Sequence, residues 1–258
     1  MEACGTAHYW RRKISQLGHS VVLLPVQYVK GYLRGQKNDD NDAEAIVEAS
    51  QHGAIRPVAI KSLEQQDEQT FLRMRQHVNS DRTRLINHVR GLLAEYCVVL
   101  LKGNHVLRKE LPFILEDAEN GLTNELRELL FRQYTQLKRL DEEPQWYDER
   151  LAVKAKQEET CQRLIEVTGI GPVVSISLKA WMGDGQQFKR GRDASVALGL
   201  VPKQFSTGGR DVLLDISKRG NRQLRSLVVH GARAVASRAK DKSDRLSQWI
   251  IRLVGTRL

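Results

Sequence analysis

Phe71, Val78, Leu85 and Leu92 fall seven residues apart, with Leu72, Val89 and Leu93 filling the seam and Arg, Gln and Asp dominating the other positions. A step of seven returns a side chain to nearly the same side of an α-helix, so this stretch predicts one long helix with a continuous apolar seam. Leu122, Leu126, Leu129, Leu130, Leu137 and Leu140 repeat the pattern. The second helix is expected to end at Pro144, which has no amide proton to give a helix interior. Gly103 to Pro112 reads as a break that lets the two helices fold back as an antiparallel pair, or pair with another subunit. Residues 63–160 therefore read as a helical coiled-coil segment whose stripes serve packing.

The residues before this segment, 1–62, alternate helix and strand signals. A helix is expected from Thr6 to Leu17, stopping at Gly18, then a short buried strand in the apolar run Val21 to Pro25, then a helix from Gln27 to Leu33. A single clear strand has no partner for its ladder, so the domain looks incomplete. The run Lys37 to Asp42 opens a further helix. Its carboxylates would cap free amides and suit the positive end of the helix dipole in any case. Asp39 and Asp42 also stand three apart, on one helix face. Joined by a third carboxylate, for which Glu2 is the candidate, they would form a hard-oxygen site suited to Mg²⁺.

The last third, 161–258, carries most of the charge. The chain has a formal net charge of +10, and residues 160–258 hold eighteen Lys and Arg against seven Asp and Glu. Such an excess attracts nucleic acid through counterion release. Leu164 to Pro172 reads as a helix and a glycine-bracketed turn resembling a helix-hairpin-helix, in which Gly169 and Gly171 would bring backbone amides close to a phosphate. Further on, Ser206 and Thr207 precede the pair Gly208-Gly209. Arg210, Lys218, Arg219, Arg222 and Arg225 follow, so a hydroxyl nucleophile and a polyanion site could lie side by side. The same residues would also make a solvated basic hairpin. Residues 224–236 read as a helix, with Arg233 and Arg238 as further cations.

Three widely spaced cysteines, Cys4, Cys97 and Cys161, lack the spacing of a zinc site or a disulfide framework and suit a reducing compartment. No charged-then-apolar leader and no run near the roughly 18 apolar residues of a membrane span occurs. A cytoplasmic protein with no membrane partner is expected.

Glu2 to Trp10, Lys37 to Ala43, Thr168 to Pro172, Gly199 to Pro202 and Ile216 to Gly220 together resemble, in order and over nearly the whole chain, the DEDD transposases of the insertion-sequence one-ten family. The resemblance implies a mainly α chain with a partial α/β N-terminal domain. That domain would be a truncated RuvC-like (RNase H-like) fragment, followed by the coiled-coil segment and a helical C-terminal domain with a helix-hairpin-helix-like turn and a Ser-Thr-Gly-Gly loop.

It further implies a DNA transposase or site-specific recombinase acting through a covalent protein-DNA intermediate. Mg²⁺ would be held by Glu2, Asp39 and Asp42, with Ser206 as nucleophile before Thr207. DNA is the implied partner, with a guide (bridge) RNA in at least part of the family, and a homo-oligomer formed through the helical segment is expected. His8 falls in the first motif, where a structural hydrogen-bonding role competes with a functional one. The family's first aspartate lies on a strand preceding Met1, and the family runs on past Leu258. A truncated copy that binds nucleic acid without cutting it is therefore expected. The alternative is a non-catalytic remnant that pairs with, or inhibits, a full-length transposase.

Overall fold

The computed structural model describes residues 1–36 and 38–255; Lys37, part of the acidic run, lies outside them. The described chain is mainly helical, and it divides into two compact units. One comprises Met1–Gln66 with Gly183–Gln187, and the other Asp67–Met182 with the chain from Phe188 onward.

In the first unit, α1 (Ala7–Gln16) connects two short extended segments that run parallel. The Ala3 amide donates to the Leu24 carbonyl and the Leu24 amide to the Met1 carbonyl, both at 2.8 Å. On its other side, the Leu23 carbonyl accepts from the Val58 amide at 2.7 Å. The run expected to be a strand without a partner is thus paired on both sides, although only Leu24 forms a ladder bridge, with Glu2. The segment is too short to propagate the ladder. A short helix α2 (Val26–Val29), a 3-10 turn to Tyr32 and α3 (Asp39–Gln51) follow. Asn38 caps α3, its side-chain oxygen accepting from the Asn41 amide at 2.7 Å. Ala45 and Ala49 of α3 pack on Leu24 and Val29.

In the second unit, which takes in α4 (Leu63–Ala94) from Asp67 onward, α4, α5 (Asn104–Glu116) and α6 (Asn124–Gln157) fold on one another around Leu85, Ile86, Val89, Leu93, Leu107, Leu111, Leu130 and Leu137. Arg75 pairs with Asp148 and Arg82 with Asp141, so residue number rises along α4 as it falls along α6 and the two are antiparallel. The fold-back is therefore intramolecular. Two expectations are corrected. The stretch from Gly103 to Pro112 is not a break but most of α5, and the turns lie on either side of it. Nor does α6 stop at Pro144, which lies buried inside it. The amide bond lost there is outweighed by what the continuation gains, because Leu151 and Ala155 pack with Leu72, Cys161, Ile176 and Ala180.

Beyond α7 (Glu159–Ile165) and α8 (Pro172–Met182) come α9 (Gly191–Ala197), the antiparallel strands β1 (Pro202–Gln204) and β2 (Leu213–Ile216), α10 (Arg222–Ser237) and α11 (Arg245–Gly255). Leu178, Leu198 and Leu224 join α8, α9 and α10 in one small core. No helix among the described residues is long and apolar enough to cross a membrane.

Candidate nucleic-acid interface

Ser206 and Thr207 stand at the tip of an exposed β-hairpin. Thr207 and Arg210 face each other in a bridge, the Arg210 amide donating to the Thr207 carbonyl at 3.0 Å and the Thr207 amide to the Arg210 carbonyl at 3.3 Å. Between them Gly208 (φ 56°) and Gly209 (φ 79°) both take positive φ, as a two-residue turn matched to the strand twist requires. The Gly-Gly pair is therefore a hairpin turn. The side-chain amide of Gln204 donates to Ser206 Oγ at 2.8 Å and to Asp211 Oδ1 at 3.3 Å, joining three polar side chains on the exposed hairpin. Sequence reading singled out the hydroxyls and not Gln204, although its place two residues before Ser206 puts it on the same side of a strand.

The cations named from sequence divide into two kinds. Arg210 and Arg222 are exposed and make no ion pair among the described residues. Lys218 pairs with Asp215 at 2.6 Å, and this hydrogen bond holds the Asp215 carboxyl below its usual range. Lys218 also takes a positive φ of 56°, with its amide bonded to the Gly199 carbonyl at 3.1 Å. Arg225 donates from one guanidinium nitrogen to the Leu198 carbonyl at 3.0 Å and the Arg219 carbonyl at 2.8 Å. It ties the start of α10 to the end of α9 and to the Ile216 to Gly220 turn. The Arg219 side chain is exposed, and its carbonyl is what Arg225 grips.

Gly169 has φ 95°, and its close approach is to α10: a Cβ there would stand 2.8 Å from Val235 and 3.1 Å from the Gly231 carbonyl. Gly171 has open space around it and begins α8, its carbonyl accepting from the Ser175 amide at 2.9 Å. Gly199 meets the backbone of Arg219, and Gly220 the carbonyl of Ala197, in contacts that leave no room for a side chain. These glycines hold backbone against backbone. The partner residues, Gly231 above all, were not legible because each lies tens of residues away along the chain.

In the first unit, Glu2 sits on the first parallel segment, bridged to Leu24 and half-buried. Asp39 and Asp42 open α3, where they suit the helix dipole. No group of three His, Cys, Asp or Glu side chains among the described residues is close enough to hold a metal ion. Glu2, Asp39 and Asp42 as arranged here therefore do not fit a three-carboxylate Mg²⁺ site. His8 accepts a hydrogen bond at Nδ1 from the Lys61 amide at 3.4 Å. Burial first, then the charges of Lys61 and Arg12, push its pKa below the usual value.

Residues 161–248 match the sequence profile of the Transposase IS116/IS110/IS902 family, and residues 1–98 match a second profile described as Transposase. The transposase for insertion sequence element IS1111A of Coxiella burnetii is 43% identical over 257 residues, which cover 100% of this chain and 71% of that protein. The transposase for insertion sequence element IS1328 of Yersinia enterocolitica is 36% identical over 250 residues, 97% of this chain and 74% of that protein. Both matches span the carboxylate-bearing first unit and the hydroxyl hairpin alike, and on that ground the chain belongs to the IS110 family of insertion-sequence transposases.

Proposed function

We propose that the chain acts on the DNA of an insertion sequence as a transposase or site-specific recombinase, with the second unit holding DNA beside the Ser206 hydroxyl. The observation that carries the reading is the hairpin tip, where an exposed hydroxyl hydrogen-bonded by Gln204 stands four residues before Arg210, an exposed cation with no ion pair among the described residues. In the proposed step the Ser206 oxygen forms a bond to phosphorus as a sugar oxygen–phosphorus bond breaks. The hydroxyl proton ends on the released sugar oxygen, and a second DNA end later reverses the exchange. Thr207 is the less apt nucleophile, because its backbone closes the turn and its β-methyl group crowds an in-line approach.

The first unit is read as RuvC-like, supported by its parallel segments joined by α1 with Glu2 on one of them, and the glycine turn before α8 as helix-hairpin-helix-like. Mg²⁺ is the cofactor the family implies. Among the described residues the three carboxylates do not gather into a site that would hold it. That disposition favours a second reading, a DNA-binding member that does not cut. A guide RNA and pairing of two copies through the helical segment complete the proposal. The pairing would use outward side chains such as Leu129 and Phe131, because the heptad seam is consumed within the chain.

Incubation with supercoiled insertion-sequence DNA and Mg²⁺, followed by denaturing electrophoresis, tests both readings. A covalent adduct lost in Ser206→Ala and kept in Thr207→Ala is expected of the first. Salt-sensitive binding with no adduct in any condition would establish the second. Loss of the adduct in Thr207→Ala alone would move the nucleophile by one residue.

A further inference from the structure

On α10 most of the polar side chains are sorted to one side. At 3.6 residues per turn, Arg222, Ser226, His230, Arg233 and Ser237 fall within an arc of about 80°. All five are exposed, and none is a carboxylate; α10 contains no Asp or Glu at all. The opposite side carries the packing, with Leu224 and Val228 in the core shared with α8 and α9, and Gly231 and Val235 against Gly169. Ala232, Ala234 and Ala236 flank the arc, exposed and short.

A merely solvated helix in this same chain looks different. The exposed residues of α6 mix Glu125, Glu128 and Glu142 with Arg132 and Lys138, and Arg132 pairs with Glu128 at 3.0 Å. Several arginines of the bundle are likewise matched, Arg75 to Asp148 and both Arg82 and Arg108 to Asp141. On α10 neither Arg222 nor Arg233 makes an ion pair among the described residues. Ser237 Oγ donates to the Ala234 carbonyl at 3.1 Å, but the two guanidiniums have no carboxylate of their own among the described residues, and cations so placed are complementary to a row of anionic acceptors on a partner.

Resting on the reading of the chain as a DNA-acting transposase, we propose that this face of α10 is a phosphate track for duplex DNA, gripping the backbone without reading bases. From Arg222 to Ser237 the helix spans about 22 Å, alongside which a DNA duplex carries about thirteen phosphates. The two guanidiniums, the Ser226 hydroxyl and the His230 imidazole, spaced by three or four residues, can meet a strand's phosphates in succession. The parts the family resemblance selects then acquire a common purpose. Gly169 braces α10 at Gly231, Arg225 fixes its first turn to Leu198 and Arg219, and Gly199 and Gly220 lock those two segments together. The motif glycines are struts, and the stripe they hold up makes the contact.

Fluorescence anisotropy of the full chain with a mixed-sequence duplex, over about 50 to 200 mM salt, reads the number of phosphates engaged. Arg222→Gln and Arg233→Gln should each lower the log–log salt slope by about one, and the double variant by about two. The double lysine variant should restore it. Arg132→Gln, at an arginine already paired on α6, should leave it unchanged. Circular dichroism melting of each variant separates lost contact from lost fold. A duplex bound by the wild type with the same slope in the double glutamine variant overturns the track and leaves DNA binding standing. A wild type that binds no duplex overturns both. Slopes that fall for a structured RNA but not for the duplex assign the face to RNA and overturn the proposal as made.

Discussion

Gly199 and Gly208 both hold positive φ, at 68° and 56°, yet they do different things. Around Gly208 there is open space, so Gly208→Ala meets only the cost of a left-handed backbone, about 1 kcal/mol. At Gly199 a Cβ would run into the backbone of Arg219, which cannot move aside as a side-chain tip can. Gly199→Ala is therefore expected to cost on the order of 3 kcal/mol or more, strain and overpacking together. Urea unfolding midpoints of the two variants measure the difference, and equal midpoints would show that the two segments do not rely on this contact. Asn221 caps α10 by accepting from the Leu224 amide at 3.0 Å, and Asn221→Ala should cost about 1 kcal/mol in the same measurement. His8 supplies a pH dependence with a definite sign. Its folded pKa lies below the ordinary 6.5, so the unfolded chain takes up the proton first as pH falls. The stability it contributes is complete above about pH 6.5 and is lost as pH drops through the lowered value. His8→Gln should flatten the stability profile across that window.

Glu68 shows how single side chains join elements. It lies buried in α4, and its Oε1 accepts from Lys154 of α6 and Lys179 of α8, both at 3.0 Å. Lys179 also pairs with Glu158 at 2.9 Å. Burial alone would lower the Lys179 pKa, but the hydrogen bonds to Glu158 and Glu68 outweigh it and the value is raised. Removing the Glu68 charge leaves two ammonium groups facing a desolvated position. Glu68→Gln is expected to destabilise by on the order of 2 to 3 kcal/mol, toward the low side because both lysines reach solvent. An unchanged unfolding midpoint would mean that the lysines simply turn outward. Nothing in the sequence marks Glu68, since its partners lie 86 and 111 residues away. The heptads at Phe71 to Leu92 and Leu122 to Leu140 made the long helices legible because their signal is periodic and local. Pro144 misled for a related reason: a local rule was overridden by packing of Leu151 and Ala155 that no window of the sequence contains. The hydroxyl hairpin was legible through Gly208 and Gly209, whereas the commitment of Lys218 to Asp215 and of Arg225 to two carbonyls required coordinates.

Across the whole molecule, the two units differ in how much apolar surface holds them. The first packs Leu24, Val29, Ala45 and Ala49, and alanine brings little area to a core. The bundle of the second gathers Ile86, Val89, Leu93, Leu107, Leu111, Leu130 and Leu137, all at most 1% exposed. Each large aliphatic side chain so buried contributes about 1.5 to 3 kcal/mol. Opening free energies should follow, because local stability tracks buried apolar contact. Amides of α1 and α3 are thus expected to exchange with deuterium faster than those of α4 between Leu85 and Leu93 or of α6 between Leu130 and Leu137, as peptide-level mass spectrometry can resolve. Mild urea should accordingly melt the first unit while the second keeps its protection. Hairpin, α9, α10 and the glycine struts all belong to the second unit, so duplex binding should persist through that first transition. If anisotropy instead falls together with the protection of α1 and α3, the contact with DNA depends on the first unit as well, and the cations of the second are not sufficient to hold it.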